Sequence, residues 1–264
     1  MPYLVIVLWA EMRRQSDLAR AYAVNLVTDQ VLFILIFFLL SGLSNLVTDG
    51  NFGQAARLAF LVGFLTWRVG AGAMEEMVES LADDAEWGTL EQVWLGSRSP
   101  TLVVLARSFN LILYYSLRIT LMGSIILLLL RVSVFWSPGA LLIYALTLLG
   151  MVGVGLALSG LHLVYKNVQF LGNAVGFALF FVTGVISSFE GVPGLYLLSR
   201  CLPLAAGIDL LRAMLAYDVS LPAVIASPVF KGLLLNSFVY LALGLAVWAW
   251  ARRRAASDGS LAHY

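Results

Sequence analysis

The sequence alternates long apolar runs with short polar breaks, and the runs have the length that a lipid bilayer demands. Segments at about 22–41, 55–74, 101–130, 140–161, 170–188 and 229–250 are each predominantly apolar. A hydrocarbon layer of about 30 Å takes roughly 20 helical residues to cross. No water is available there for exposed N–H and C=O groups, so a spanning segment has to satisfy its own backbone, which selects helices. The expected fold class is an all-α membrane protein with six transmembrane helices, forming one transmembrane domain over residues 1–264. The composition agrees, with 61% hydrophobic and only 12% charged residues. Sixteen Lys and Arg stand against 15 Asp and Glu, a balance that argues against a nucleic-acid partner. Cys201 is the single cysteine, so no intrachain disulfide framework is possible. His162 and His263 have no cysteine or second histidine at ligand spacing, and neither a metal nor a cofactor is expected. The start of the chain lacks the basic region and small-residue cleavage site of a signal peptide, so the first spans are expected to be retained.

Residues 1–20 open with apolar Leu4–Trp9 and turn charged at Glu11, Arg13, Arg14, Asp17 and Arg20. That run is too short to cross a bilayer and suits an interfacial helix. A polar turn at Ser44, Asn45, Thr48, Asp49, Gly50 and Asn51 is expected to close the first span. The second helix is expected to continue beyond Met74 out of the membrane. Met74, Met77, Val78, Leu81 and Ala85 recur there at helical spacing, opposite Glu75, Glu76, Glu79, Asp83 and Asp84. The acidic run reads as a solvated face. The third span is longer than a bilayer requires, so its start should project into the cytoplasm. Gly172 with Gly176, and Gly155 with Ser159, permit close helix approach. Residues 189–228 are punctuated by Gly191, Pro193, Gly194, Pro203, Pro222 and Pro228, yet Leu195–Leu202 and Leu204–Leu215 are too apolar for a solvated loop. Two short helices dipping into the outer leaflet reconcile these facts, with Asp209 and Arg212 able to pair on the second.

Basic residues set the orientation. With the N-terminus inside, the inner side holds nine: Arg13, Arg14, Arg20, Arg98, Arg107, Lys166, Arg252, Arg253 and Arg254. The outer side holds five, Arg57, Arg131, Arg200, Arg212 and Lys231, and Arg68 and Arg118 lie within spans. Both termini are therefore expected in the cytoplasm, in a multi-pass cell (inner) membrane protein.

Between the second and third spans lies a polar stretch with strong local signals, Glu86 to Pro100. Gly88 interrupts the preceding helix, and Thr89 with Gln92 fits a capping box that starts a new one. Gly96, Ser97 and Ser99-Pro100 end it, leaving a helix of about two turns, Leu90 to Leu95. Leu90, Val93 and Trp94 share a face at i, i+3, i+4 spacing, with Glu91 and Gln92 directed elsewhere. The pattern E-x-G-T-L-E-Q-x-x-x-x-x-x-S-P resembles the first cytoplasmic loop of type-2 ABC exporter permeases. The resemblance implies a coupling helix seated in a separate ABC ATPase (nucleotide-binding) subunit, through Glu86, Gly88, Thr89, Leu90, Glu91, Val93 and Trp94. It implies a second ATPase contact at the link His162–Gln169, through Tyr165 and Lys166. It also implies pairing with a second permease copy or close relative, substrate movement usually outward, and re-entrant helices before the last span.

The chain carries no phosphate loop of its own, since neither Lys166 nor Lys231 follows glycines in G-x-x-x-x-G-K-[ST] spacing. Gly153-Val154-Gly155 lies inside a span and reads as packing. What remains is charge within the bilayer, a functional candidate by default. Asp29 and Arg68 fall at similar depth on the first two spans, which predicts a cross-helix ion pair. Arg107, Asn110, Tyr114 and Arg118 fall on one stripe of the third span. Arg107 is expected to snorkel to the inner surface. Arg118 either ties neighbouring helices together or lines a translocation path. An ion-gradient-driven transporter or channel without an ATPase is the alternative function, and would call for an internal repeat, of which there is no convincing sign. An intramembrane enzyme would need a paired catalytic constellation that the sequence lacks.

Overall fold

The computed structural model describes residues 3–47, 53–132, 134, 137–165, 168–186 and 192–257, the side chains at 47, 91, 93–95 and 169 excepted. The described residues form eleven helices and no strand. They are α1 (Tyr3–Ala21), α2 (Ala23–Val47), α3 (Gln54–Glu86), α4 (Thr89–Gly96), α5 (Pro100–Leu130), α6 (Pro138–Val164), α7 (Gln169–Val182), α8 (Pro193–Cys201), α9 (Ala205–Ala216), α10 (Leu221–Ala226) and α11 (Pro228–Ser257). Among them α2, α3, α5, α6 and α11 are long and apolar enough to cross a membrane. The pair α8 and α9, bent by 97°, makes a broken span or a re-entrant hairpin, so the count is five or up to six.

Two boundaries differ from the sequence reading. Ser44 and Asn45 lie inside α2 rather than in a turn, and the Ser44 hydroxyl donates to the Leu40 carbonyl at 2.9 Å. A polar side chain bonded to its own helix does not break it. The rest of that expected turn, 48–52, is outside the described residues. The expected fifth span, 170–188, is realised as α7 with 14 residues, about 21 Å at 1.5 Å per residue and short of a full crossing. After Val182 the chain turns through Gly184 at φ 75°. The carbonyls of Gly184 and Val185, released from the helical ladder, accept from the Arg212 guanidinium, at 2.8 Å for Gly184. Arg212 Nε also donates to the Ala59 carbonyl at 2.8 Å. One buried cation thus joins the end of α7, α9 and the centrally placed α3. Asp209 lies 3.8 Å from Arg212 and 2.9 Å from Arg200.

The core is built on α3, which packs against α5, α6, α7 and α9. Phe60, Phe64 and Trp67 project from it into a cluster with Phe37 and Phe180. The Trp67 indole N–H is satisfied by the Gly176 carbonyl at 2.8 Å, across a crossing that glycine keeps close. The tightest seam joins α6 and α11, where a Cβ on Gly153 would strike the backbone of Tyr240 and one on Gly244 would strike the backbone of Gly153. Where lipid tails compete equally for apolar side chains, such close backbone approach supplies the packing that holds helices together. Gly153→Ala should therefore destabilise the fold, overpacking of this kind costing about 1–3 kcal/mol. In detergent thermal unfolding, each kcal/mol should appear as about 2–4 °C of lost Tm. Gly172→Ala is the control: its Cβ would meet its nearest atom at 3.9 Å, an ordinary contact, and Tm should hardly move.

Candidate functional site

At the far end of α3 the chain turns sharply into α4. The Trp87 N–H closes the last turn on the Asp83 carbonyl at 2.9 Å, and Gly88 then adopts φ 68°, ψ 15°. A Cβ on Gly88 would meet nothing, so the left-handed backbone alone calls for glycine here. This geometry replaces the expected capping box. Gly88 is the cap, Thr89 is the first helical residue, and no side chain caps α4. The Thr89 hydroxyl instead reaches back to Asp84, whose backbone oxygen lies at 3.2 Å and Oδ1 at 3.3 Å. Leu90, expected on an exposed docking face, is buried in a cluster with Met77, Leu81, Ala85, Trp248 and Ala255. The side chains of Glu91, Val93 and Trp94 are outside the described part of the structure. Glu86, Trp87, Gly88 and Gln92 are exposed, Trp87 by 67%.

The turn rests on a buried ionic junction that corrects two expectations. The acidic run of α3 is not a solvated face: Asp84 is buried, Glu75, Glu76 and Asp83 are partly buried, and only Glu79 and Glu86 are exposed. Arg107 does not snorkel to the surface but is 6% exposed between two carboxylates. Its Nη1 donates to Asp84 Oδ2 at 2.7 Å, and its Nε and Nη2 donate to Glu11 at 3.2 and 3.4 Å. Arg14 of α1 completes the junction, donating to Asp84 Oδ1 at 3.1 Å. Asn110, one turn along α5 from Arg107, donates to the Leu8 carbonyl at 3.2 Å. The first part of the polar stripe of α5, Arg107 and Asn110, is therefore the face that receives α1. The sequence signal for this was the placement of Glu11 and Arg14 one turn apart on an otherwise amphipathic helix.

Deeper in the bundle, the three intramembrane charges meet. Asp29 Oδ2 accepts from Arg68 Nη2 at 3.2 Å and from Arg118 Nη2, linking α2 to α3 and α5. Arg118 also reaches the Leu26 carbonyl at 3.4 Å, and Arg68 lies over the Phe33 ring at 4.0 Å. The paired reading foresaw Asp29 with Arg68; it missed that Arg118 shares the same carboxylate oxygen and is thereby tied to α2. Beside this cluster the Tyr115 hydroxyl donates to Glu76 at 3.3 Å.

The second expected contact segment is shorter than the sequence suggested. His162 is buried within α6, which runs to Val164, so the polar link contracts to 165–168. Tyr165 is exposed there by 58%, and Lys166 lies outside the described residues.

Set against known proteins, the sequence matches the profile of the ABC-2 type transporter membrane family over residues 3–216, from the start of α1 to the end of α9. Comparison with curated proteins gave no match.

The shared carboxylate makes the intramembrane cluster asymmetric. Asp29→Leu should destabilise more than Arg68→Leu, because it strands two guanidinium groups, whereas Arg68→Leu leaves Asp29 paired with Arg118. A stranded buried charge costs about 3–5 kcal/mol. Asp29→Leu combined with Arg68→Leu should lose less than the sum of the singles when thermal stability is measured in detergent. Strictly additive losses would mean that the contact carries no coupling energy.

Proposed function

This chain belongs to the ABC-2 type transporter family, and we propose that it acts there as an export permease driven by separate ATPase subunits. It is an integral membrane protein and the transmembrane subunit of an ABC transporter, not itself catalytic. In the proposed assembly two copies, or this chain and a close relative, form the translocation path in the cell membrane with both termini in the cytoplasm. The ATPase subunits bind beneath, and closure on ATP is passed through α4. The observation that carries this reading is the α3–α4 corner: a separate two-turn helix, set off by a left-handed glycine and rooted on the buried Asp84–Arg107 junction. A surface element meant to transmit force needs a rigid root, and α4 has one.

Glu86, Gly88, Thr89, Leu90, Glu91, Val93 and Trp94 are the proposed ATPase-facing segment, with the exposed Trp87 added to it. Tyr165 and Lys166 are the proposed second contact. Within the first segment the roles divide by burial. Leu90 shapes the corner from inside the chain's own core, while Trp87 offers the partner an aromatic anchor.

That division is testable. The purified chain alone should neither bind nor hydrolyse ATP. Trp87→Ala should leave the permease as stable as the parent yet weaken capture of the cognate ATPase roughly tenfold or more, as loss of an interface anchor does. Leu90→Ala should instead lower the stability of the permease itself, by about 2–5 kcal/mol for a buried leucine. Glu91→Ala should spare assembly but reduce transport-linked ATP turnover in liposomes. If the Trp87, Leu90 and Glu91 variants all assemble and turn over like the parent, α4 is a loop helix without a coupling role.

A further inference from the structure

A lateral cavity of about 300 Å³ opens between α3, α5 and α6, with α9 at its edge. Its walls are chiefly alkyl, among them Leu58, Leu65, Val69, Ile119, Leu127 and Leu141. The volume sits at the lower bound of small-molecule sites, too small for a whole two-chain lipid and suited to one chain. Three of the enclosing helices are candidate membrane spans, so the cavity lies within the span-forming part of the bundle. Toward the start of α3 the cavity adjoins a polar recess of about 30 Å³ lined by Gln54, Arg57, Leu58, Leu127, Leu130 and Val132. The two share Leu58 and Leu127.

The recess holds a cation, the Arg57 guanidinium. Arg57 is partly buried, and no ion pair or hydrogen bond engages its guanidinium among the described residues. The buried Arg68, Arg107 and Arg212 and the partly buried Arg118 each hold a carboxylate or backbone carbonyls. Arg57 lies in the first turn of α3, whose free N–H groups carry partial positive charge, and the Gly53 cap contributes no side-chain acceptor. The positive end of a helix and an unpaired guanidinium thus converge at the mouth of a hydrocarbon-lined slot.

We propose that this slot binds one acyl chain of an anionic phospholipid, with the phosphate held at Arg57. Apolar wall and cationic mouth occur in the order in which an anionic lipid presents tail and headgroup. A zwitterionic lipid would fill the slot but bring a phosphate already balanced by its own ammonium, and a free anion would answer the charge but not the slot. The site is independent of how the permease is energised, since it uses no residue of the α3–α4 corner.

The test is native mass spectrometry of the purified chain titrated with phosphatidylglycerol, phosphatidylcholine or inorganic phosphate. The parent should retain phosphatidylglycerol in preference to phosphatidylcholine. Arg57→Gln, which keeps a polar side chain but removes the charge, should lower that preference about fivefold, the scale of one basic residue facing an anionic headgroup. Arg57→Lys should restore most of it. Thr120 lines the slot from an exposed position on α5, so Thr120→Trp should narrow the slot without disturbing the core and reduce retention of both lipids. The proposal is overturned if Arg57→Gln keeps the parent's preference, if Thr120→Trp retains lipid like the parent, or if phosphate alone competes the lipid away. A Tm equal to the parent's separates these losses from misfolding, and a variant that unfolds is replaced by Arg57→Met or Ser124→Phe, read in the same way.

Discussion

The arrangement of α1, α4 and α5 around the end of α3 depends on one buried carboxylate. Asp84 accepts from Arg107, from Arg14 and from the Thr89 hydroxyl, and so holds α5, α1 and the start of α4 to the end of α3. Burying a single carboxylate is expensive, and even a paired one gains little over apolar packing unless its remaining lone pairs are satisfied. Here both oxygens are occupied, and Glu11 answers the far side of the Arg107 guanidinium. The junction therefore works as a specifier: displacing α1 or α5 leaves a charge short of a partner, and displacing α4 breaks the bond from the Thr89 hydroxyl. Its geometric precision exceeds what apolar contacts between amphipathic helices enforce.

Asp29 performs a related task within the bilayer. The window of α2 that would cross the membrane is only 11% buried, against 83% for α3, so packing holds α2 weakly. In lipid the hydrophobic effect does not drive one helix onto another. The depth and rotation of α2 are fixed by Asp29 against Arg68 and Arg118, by the Phe33 ring over Arg68, and by Phe37, fully buried against Phe60 and Phe64. At the opposite extreme, α6 and α11 associate through glycine with no charge in the seam. The fold thus uses two solutions to one problem, small residues where backbones touch and ion pairs where they stand apart.

Much of this was legible in the sequence. The long apolar runs located the helices, because a bilayer imposes both length and backbone satisfaction. Asp29 and Arg68 were legible as a pair because charges in a span have few alternatives. What escaped detection shares one cause, that local pattern cannot see the third partner. Thr89 and Gln92 fit a capping box, yet Asp84 lay five residues back and offered the threonine hydroxyl a better acceptor. The acidic run looked solvated because its neighbours in sequence are acidic, whereas its neighbours in space are Arg14 and Arg107. The early end of α7 could not be foreseen, because the turn at Gly184 is held by Arg212, some 28 residues on. Leu90 read as a docking residue because its apolar neighbours were visible and its burying partners on α3 and α11 were not.

These contacts also define what a force at α4 would move. α3 is one continuous helix of 33 residues. Its glycines do not loosen it: Gly63 faces the Arg212 guanidinium, Gly70 faces Leu204 and Met151, and Gly72 faces Tyr115. Asp84 roots α4 at one end, and the Ala59 carbonyl holds Arg212 of α9 at the other. The two points are 25 residues apart, about 37 Å at 1.5 Å per residue, which exceeds the hydrocarbon thickness of about 30 Å. On the proposed function, a push on α4 cannot be absorbed at its root without breaking the Thr89–Asp84 bond and unseating buried Leu90, nor along α3 without disturbing close-packed glycines. It has to emerge where α3 meets α9 and the turn after α7, at the opposite side of the membrane. The same two arginine-held junctions that stabilise the resting fold would thereby carry motion from the ATPase face to the far end of the path.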